Sequence, residues 1–268
     1  MGGKWRPFGA IVGLMILVGG TAAAPATSGT GLAVGTLNLS ADVRFVSTPG
    51  SCPPGATAGV CAARRGGGLV RGLGNVTETY VLLADVSGPP SCAAGLAKAL
   101  AYPVQFAVAG KGEIRLVLAE GAQCVDLSAA LAQTQAFTVT GGTGIYAGAS
   151  GSGTVVRVLG AVTTTGRRMG RETWTGTLAV PGLEFDLTPP TLCGAIGKTV
   201  RAPREAKSVR VTFKVTARDD ADGSLPVTCA PRSGSRFKLG KSRVTCAATD
   251  ASGNTATARF TITVKARK

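Results

Sequence analysis

Histidine is absent from all 268 residues of the sequence, and only 5% of the residues are aromatic. Histidine is the usual general base near neutral pH and the commonest zinc ligand, so its absence excludes histidine-dependent triads and histidine zinc centres. The sequence has no Cys-x-x-Cys pair either, which disfavours a cysteine metal site. Any chemistry would have to use carboxylates, Lys, Tyr, Arg or Cys, and this favours a protein that is not an enzyme.

Long apolar runs are also rare. The one such run, residues 8–20, follows Lys4 and Arg6 and precedes a stretch of small residues. It is too short for a membrane span of ~20 residues. Its flanks are typical of a signal peptide occupying residues 1–26, with cleavage expected after Ala26 and an uncleaved anchor as the alternative. No later segment is a candidate for a transmembrane span, so we expect a secreted, extracellular or cell-wall-associated protein.

Acidic residues are scarce near the C-terminus. The chain carries 29 Lys and Arg residues against 14 Asp and Glu residues. After residue 192 there are 16 Lys and Arg residues but only 5 Asp and Glu residues. Such an excess predicts an acidic partner, such as a polymer, a glycan or an acidic cell-surface protein, although it could simply keep a solvated surface soluble. Residues 200–210 are basic but lack aromatic stacking partners, so nucleic-acid binding is not expected.

The cysteine count is odd. After export, an oxidising compartment favours disulfides, and one thiol must stay without an internal partner. Cys52 and Cys61 flank a Gly/Pro-rich loop that they could close locally. Cys92 and Cys124 each precede a stretch predicted as a short helix, residues 93–100 and 125–133, and a bridge between them is our hypothesis. These four cysteines still allow three connectivities.

Long stretches with helical periodicity are missing, and short alternating runs predict an all-β protein. Residues 137–153, FTVTGGTGIYAGASGSG, combine a strand, a glycine turn and a second strand. This motif resembles the barrel of allene oxide cyclases and dirigent proteins. The resemblance implies an eight-stranded antiparallel barrel over residues 32–185, which could act as an isomerase-like, cyclase-like or dirigent-like enzyme on a small apolar substrate. Inward carboxylates and tyrosines would then be the candidates for catalysis, namely Glu78, Tyr80, Asp85, Glu113 and Tyr146.

Residues 227–264 contain two cysteines, two polar turns and two alternating runs, and they follow the lead-in Asp186-Leu-Thr-Pro-Pro. The segment resembles the hyalin repeat (HYR) domain of secreted and cell-surface proteins. This resemblance implies an immunoglobulin-like β-sandwich over residues 186–268. Residues 209–217 alternate between apolar and polar positions and are predicted to form one of its strands.

The HYR resemblance also implies a bridge between Cys229 and Cys246. A second bridge usual in the family would join Cys193 to a position near Ala258, where this chain has no cysteine. Cys193 is therefore the expected unpaired thiol. We favour a buried thiol, since free cysteine behaves as a small apolar residue, with pairing between chains or to the barrel as the alternatives.

Four aspartates in the loops of this segment could bind calcium, which prefers oxygen ligands: Asp219, Asp220, Asp222 and Asp250. Asp is also common in turns for reasons of backbone geometry alone. No other cofactor is expected. Together with an alanine- and glycine-rich composition that is typical of bacteria, these features predict a secreted, non-enzymatic binding or cell-adhesion protein, whose basic HYR module contacts an acidic extracellular or cell-wall partner.

Overall fold

The computed structural model describes residues 32–55, 59–86, 92–126 and 132–267, so the expected signal peptide lies outside the described residues. Nine strands form the first part: β1 Leu32–Gly50, β2 Val60–Val70, β3 Gly74–Asp85, β4 Lys98–Ala99, β5 Tyr102–Val108, β6 Gly112–Leu118, β7 Ala132–Gly142, β8 Ser150–Leu159 and β9 Arg168–Asp186. Within the described ranges, one 3-10 turn, Gly144–Tyr146, lies between β7 and β8. No helix among these residues is long and apolar enough to cross a membrane.

The first part is a closed antiparallel barrel. The sheet order is β2-β1-β9-β8-β7-β6-β5-β3-β4, and a further pairing of β2 with β3 closes the ring. Eight strands form the wall, while the two-residue β4 only adds to the end of β3. The all-β class and the eight-stranded barrel expected from the sequence are therefore confirmed. Closure leaves no long unpaired strand edge in the wall.

Strict alternation along the strands divides the barrel residues into an outward and an inward set. Large apolar side chains fill one part of the interior. Trp174 is fully buried on β9, and its ring packs edge-on against Phe106 at 4.9 Å between centroids. Phe137 of the glycine-rich motif contacts the same indole at 5.3 Å. These contacts give the barrel an aromatic core despite the low aromatic content of the chain.

The predicted helix over residues 93–100 is wrong. These residues form a turn followed by β4, and Ala97 makes an isolated antiparallel bridge with Val125. Pairing with the end of β3 overrides the helical preference of the Ala- and Leu-rich stretch, because tertiary context outweighs propensity in short segments. The second predicted helix, over residues 125–133, falls largely outside the described residues.

The C-terminal region, residues 187–267, is built from several small sheets. Its strands are β10 Thr191–Cys193, β11 Lys198–Arg201, β12 Ser208–Arg210, β13 Thr216–Asp219, β14 Gly223–Leu225, β15 Thr228–Ala230, β16 Arg236–Lys238, β17 Gly240–Thr249 and β18 Thr255–Lys265. They form sheets in the orders β10-β13-β14, β11-β18-β17-β15 and β12-β16. A second apolar core lies between them and includes Val244, Phe260 and Ile262. This arrangement agrees with the expected immunoglobulin-like β-sandwich.

The single strand predicted over residues 209–217 is divided in the structure. Its first part belongs to β12, which pairs with β16, whereas its last part belongs to β13 of a different sheet. Residues 211–215 lie between the two strands outside any ladder. Alternating hydrophobicity persists through the break because Val211 still packs in the core, so the pattern alone could not reveal the change of sheet.

Two turns join the barrel to the C-terminal region. In the turn between β2 and β3, the Gly72 amide donates to the Ser252 carbonyl at 2.6 Å. The Arg71 guanidinium donates to Asn254 Oδ1 at 3.0 Å and to the Leu187 carbonyl at 2.7 Å. Gly74 has a φ of +93°, and a Cβ atom there would clash with the Ala251 carbonyl. Glycine at this position therefore lets the turn between β17 and β18 approach closely.

Candidate functional site

A cationic face covers the outer side of the sheet β11-β18-β17-β15. It consists of five exposed side chains, Arg201, Lys241, Arg243, Arg259 and Lys265. Their neighbours in the same strands, such as Val244, Phe260 and Val264, point inward to the core, so the alternation of each strand places the charges together outside. The four strands of this sheet contain no Asp or Glu.

The positive charges of this face have no ionic partners within the described residues. The ion pairs that the structure shows lie in the barrel instead. They are Arg64–Glu172, Lys98–Glu120, Arg157–Glu172 and Arg171–Asp42. Arg201 and Lys265 are register partners on adjacent strands. Like charges at such positions repel each other, and a bound anion would relieve the repulsion.

The acidic cluster gathers four carboxylates near the junction with the barrel: Asp186, Asp219, Asp222 and Asp250. One oxygen of each lies within 4.8 Å of the corresponding oxygens of the other three. Sequence reasoning named three of these residues but missed Asp186, which ends β9. It also included Asp220, which is exposed and is not part of the cluster. Burial raises the pKa of Asp186, the Thr188 amide opposes this, and the negative Asp219, Asp250 and Asp222 raise the pKa further.

A polar cluster is enclosed in the barrel: Arg64, Glu78, Tyr80, Arg157 and Glu172. Arg157 and Glu172 are register partners on β8 and β9, both fully buried, and Arg157 Nε donates to Glu172 Oε1. The Tyr80 hydroxyl donates to the same oxygen at 2.5 Å and accepts a hydrogen bond from Arg64 at 2.9 Å. Burial alone would raise the pKa of Glu172, but the charge of Arg157, the hydrogen bond from Tyr80 and the charge of Arg64 lower it below its usual value.

Glu78 has a pKa that is shifted in the opposite direction to that of its neighbour Glu172. Both of its carboxyl oxygens are buried without a donor, and burial followed by the negative charge of Glu172 raises its pKa well above the usual value. A neutral carboxyl group can donate a hydrogen bond, whereas an ionised one can only accept. Their surroundings thus shift the pKa values of the two carboxyl groups in opposite directions.

This difference predicts that Glu78→Gln is more stable than the wild type above neutral pH. When folding raises the pKa of a carboxyl group, the free energy of unfolding of the protein falls as the pH increases from the ordinary pKa of the group to its folded pKa. Glutamine is neutral throughout, so the variant should not show this loss. Urea unfolding at several pH values between about 4 and 9 measures the effect.

The half-buried Glu113, changed to Gln, is the matched control, and its pH profile should follow that of the wild type. A Glu78→Gln profile parallel to the wild type over the whole range would show that Glu78 is ionised in the native protein.

Of the five residues considered for catalysis, only Glu78 and Tyr80 come together. Tyr146 is buried in the 3-10 turn, where burial raises its pKa to about 12. Asp85 and Glu113 are half-buried at other places on the wall. The five candidates therefore do not form one site.

A groove of about 940 Å³ on the barrel is lined mainly by outward-facing residues, including Val81, Leu83, Arg115 and Val117.

The cysteines form three disulfides, Cys52–Cys61, Cys92–Cys124 and Cys229–Cys246. Cys246 lies opposite Ala258 in the pairing of β17 with β18. Cys193 is a free thiol, but the expectation of a buried one is wrong because Cys193 is exposed at the end of β10. The neighbouring Leu192 packs against the core, so the alternation of β10 directs Cys193 outward.

Residues 185–264 match the family model described as the HYR domain. A stretch of 92 residues is 37% identical to hyalin from Strongylocentrotus purpuratus. It covers 34% of this chain and only 8% of hyalin, so the chain spans a small part of the relative that it matches. The C-terminal region is therefore similar to HYR domains, as its proline lead-in, cysteines and turns indicated.

Proposed function

We propose that this is an adhesion-type extracellular protein that binds an acidic polymer or glycan through its cationic face. In this proposal residues 1–26 are a signal peptide, residues 32–185 form a barrel domain, and residues 186–268 form the HYR domain that carries the binding surface. The observation that supports it is the cationic face itself, which presents five cations and no acidic side chain on one sheet.

The chemistry of the face suits a repeating anion. Arginine pairs with carboxylate and sulfate-like groups through two parallel hydrogen bonds, while lysine adds a mobile point charge. Thr261 and Thr263 lie between the cations on β18 and add hydroxyl groups that can donate to an anion. A polymer could contact several of these groups at once, and many weak contacts together give useful affinity.

The distribution of acidic residues supports the same proposal. Asp219, Asp222 and Asp250 are gathered in the acidic cluster rather than dispersed among the cations. The positive potential of the face is therefore not neutralised locally. An exposed field of one sign attracts an oppositely charged partner and speeds its association, in a way that salt weakens.

Charge reversal on the face tests this proposal with the full chain. We expect the triple variant Arg201→Glu, Arg243→Glu and Lys265→Glu to bind immobilised heparin or poly-glutamate at least about tenfold more weakly, a loss of ~1.4 kcal/mol or more. Wild-type binding should also weaken as salt is raised, because screening is strong for exposed charges. Binding is measured by biolayer interferometry between low and high salt, with neutral dextran as a blank.

The matched control carries the same change in net charge on the barrel surface: Arg44→Glu, Arg65→Glu and Arg115→Glu, all at exposed positions. It should retain most of the wild-type affinity. Equal losses in the two variants would mean that only net charge matters, and wild-type binding that does not depend on salt would overturn the electrostatic proposal.

A further inference from the structure

The acidic cluster assembles carboxylates from three separate parts of the chain. Asp186 is the last residue of the barrel strand β9, Asp219 and Asp222 flank the turn between β13 and β14, and Asp250 begins the turn between β17 and β18. This convergence brings up to four negative charges within 4.8 Å of one another. Carboxylates so close repel each other unless they are protonated or a cation lies among them.

Backbone amides hold most of these carboxylates in fixed orientations. Asp219 Oδ1 accepts from the Ala221 and Asp222 amides at 2.9 and 3.1 Å. Asp222 Oδ2 accepts from the Ala251 amide at 2.8 Å, which connects the two turns. Asp186 Oδ1 accepts from the Thr188 amide at 2.9 Å. The hydrogen bonds use one oxygen of each of these three residues and leave the other oxygen for a ligand.

Two of the remaining oxygens are buried and have no partner. Asp219 is only 4% exposed, and its Oδ2 makes no hydrogen bond, although its other oxygen makes two. Asp186 Oδ2 is likewise buried and unpaired. A buried acceptor without a donor costs about 1–3 kcal/mol, and more if it is charged. These two orphaned oxygens, in a group of four converging carboxylates, have the chemistry of metal ligands.

The ligand set and its spacing favour one class of metal. All four donors are carboxylate oxygens, which suit a hard cation rather than zinc or copper. Ligands at the calcium distance of about 2.3–2.6 Å can stand up to about 5 Å apart across the ion. Magnesium at about 2.0–2.1 Å would need opposite ligands within about 4.2 Å. The four oxygens all lie within 4.8 Å of one another, a separation that a calcium coordination sphere can accommodate.

We propose that Asp186, Asp219, Asp222 and Asp250 bind one calcium ion, with water completing the coordination. Because Asp186 is the last residue of β9, directly after the barrel wall, while the other ligands lie in turns of the C-terminal region, the ion connects the end of this strand to those turns. Asn254 supports this connection, since its amide donates to Asp250 Oδ2 and to the Asp186 carbonyl while Arg71 of the barrel donates to its Oδ1. Calcium thereby holds the cationic face in a fixed orientation relative to the barrel.

Titration of the chelator-treated full chain with calcium chloride tests the site. We expect a dissociation constant in the range of extracellular calcium modules, about 10⁻⁴–10⁻³ M, and a melting temperature that rises with calcium concentration. Magnesium chloride should give a weaker response at equal concentration. Isothermal titration calorimetry measures the affinity, and differential scanning fluorimetry measures the melting temperature.

Asp219→Asn is the most informative variant because it should have opposite effects with and without calcium. It relieves charge repulsion when the ion is absent, and it removes a ligand when the ion is present. In chelator it should melt no lower than the wild type, since one of four repelling charges is removed while the amide oxygen can keep the turn hydrogen bonds. In calcium it should bind at least about tenfold more weakly and gain little stability. Asp220→Asn, one residue away but exposed and outside the cluster, should respond to calcium as the wild type does.

The proposal is overturned if the wild type shows neither binding heat nor a shift in melting temperature up to about 10 mM calcium, well above the expected dissociation constant. It is equally overturned if Asp219→Asn and Asp220→Asn bind calcium with the same affinity as the wild type. Because the readout in chelator shows separately whether the variant folds, loss of the fold cannot be mistaken for loss of the site.

Discussion

Glu172→Gln should lower the free energy of unfolding of the barrel by about 3–5 kcal/mol. The change removes the carboxylate that forms ion pairs with the buried Arg157 and Arg64, while leaving a side chain of nearly the same size. Removing one partner of a buried ion pair is expensive because the other charge stays in a medium of low polarity. Tyr80 would also lose its charged acceptor. Urea unfolding followed by tryptophan fluorescence reports the change, since Trp174 is buried on the same strand.

Glu184→Gln is the matched control, because Glu184 lies on β9 as well but is exposed. It should change the stability by less than about 0.5 kcal/mol. The pKa of Glu172 is lowered in the folded protein, so its contribution is present at neutral pH and is lost as pH falls through the folded pKa. The difference between wild type and Glu172→Gln should therefore shrink in acid. An equally small effect of both substitutions at neutral pH would falsify this account of the polar cluster.

Removal of the Cys229–Cys246 disulfide should destabilise the C-terminal region by about 3 kcal/mol. The bridge spans 17 positions of sequence, and most of its effect is expected to come from restricting the unfolded chain. The core of this region contains few large side chains, and a small core gives little reserve of stability. We expect the double variant Cys229→Ala and Cys246→Ala to lose structure first in this region, which hydrogen exchange can localise.

Cys193→Ala provides the comparison for this experiment, because Cys193 is in the same region but exposed and free. It should leave the unfolding free energy within about 0.5 kcal/mol of the wild type. If hydrogen exchange in the double variant showed unchanged protection of β17 and β18, the disulfide would not be important for the stability of this region.

Much of the architecture could be predicted because it depends on local patterns. Alternating residues identify strands, and paired glycines and prolines mark the places where strands must end. The long strand β1 and the hairpin of β5 and β6 follow this rule closely. The HYR match could be predicted for a different reason, since several short motifs occur in a fixed order within residues 185–264.

The polar cluster was not predicted as a unit. The sequence offers Glu78 and Tyr80 as candidates for catalysis, but only the register of β8 with β9 identifies Arg157 and Glu172 as partners. The signal was present in part, because Arg157 occupies an inward position between Val155 and Leu159 in an otherwise apolar alternation. A charged residue at such a position requires a buried partner, although local sequence cannot say which one.

The acidic cluster shows a similar limit. Asp219 and Asp220 are adjacent in the chain, yet the strand geometry of β13 buries the first and exposes the second. Spacing within a turn cannot distinguish them. Asp186 is remote in sequence and joins the cluster only because the barrel and the C-terminal region meet at their turns. Long-range contacts of this kind are not encoded in short motifs.

The sheet order β11-β18-β17-β15 leaves β11 as one border strand, and Lys198 and Arg201 stand at its two ends. Border strands with free backbone groups can recruit strands from other copies and so start aggregation, and positive side chains along the border prevent this. Two copies approaching through this border would bring like charges together. The charge pattern that we propose for binding an acidic partner would thus also oppose edge-to-edge pairing between copies of this chain.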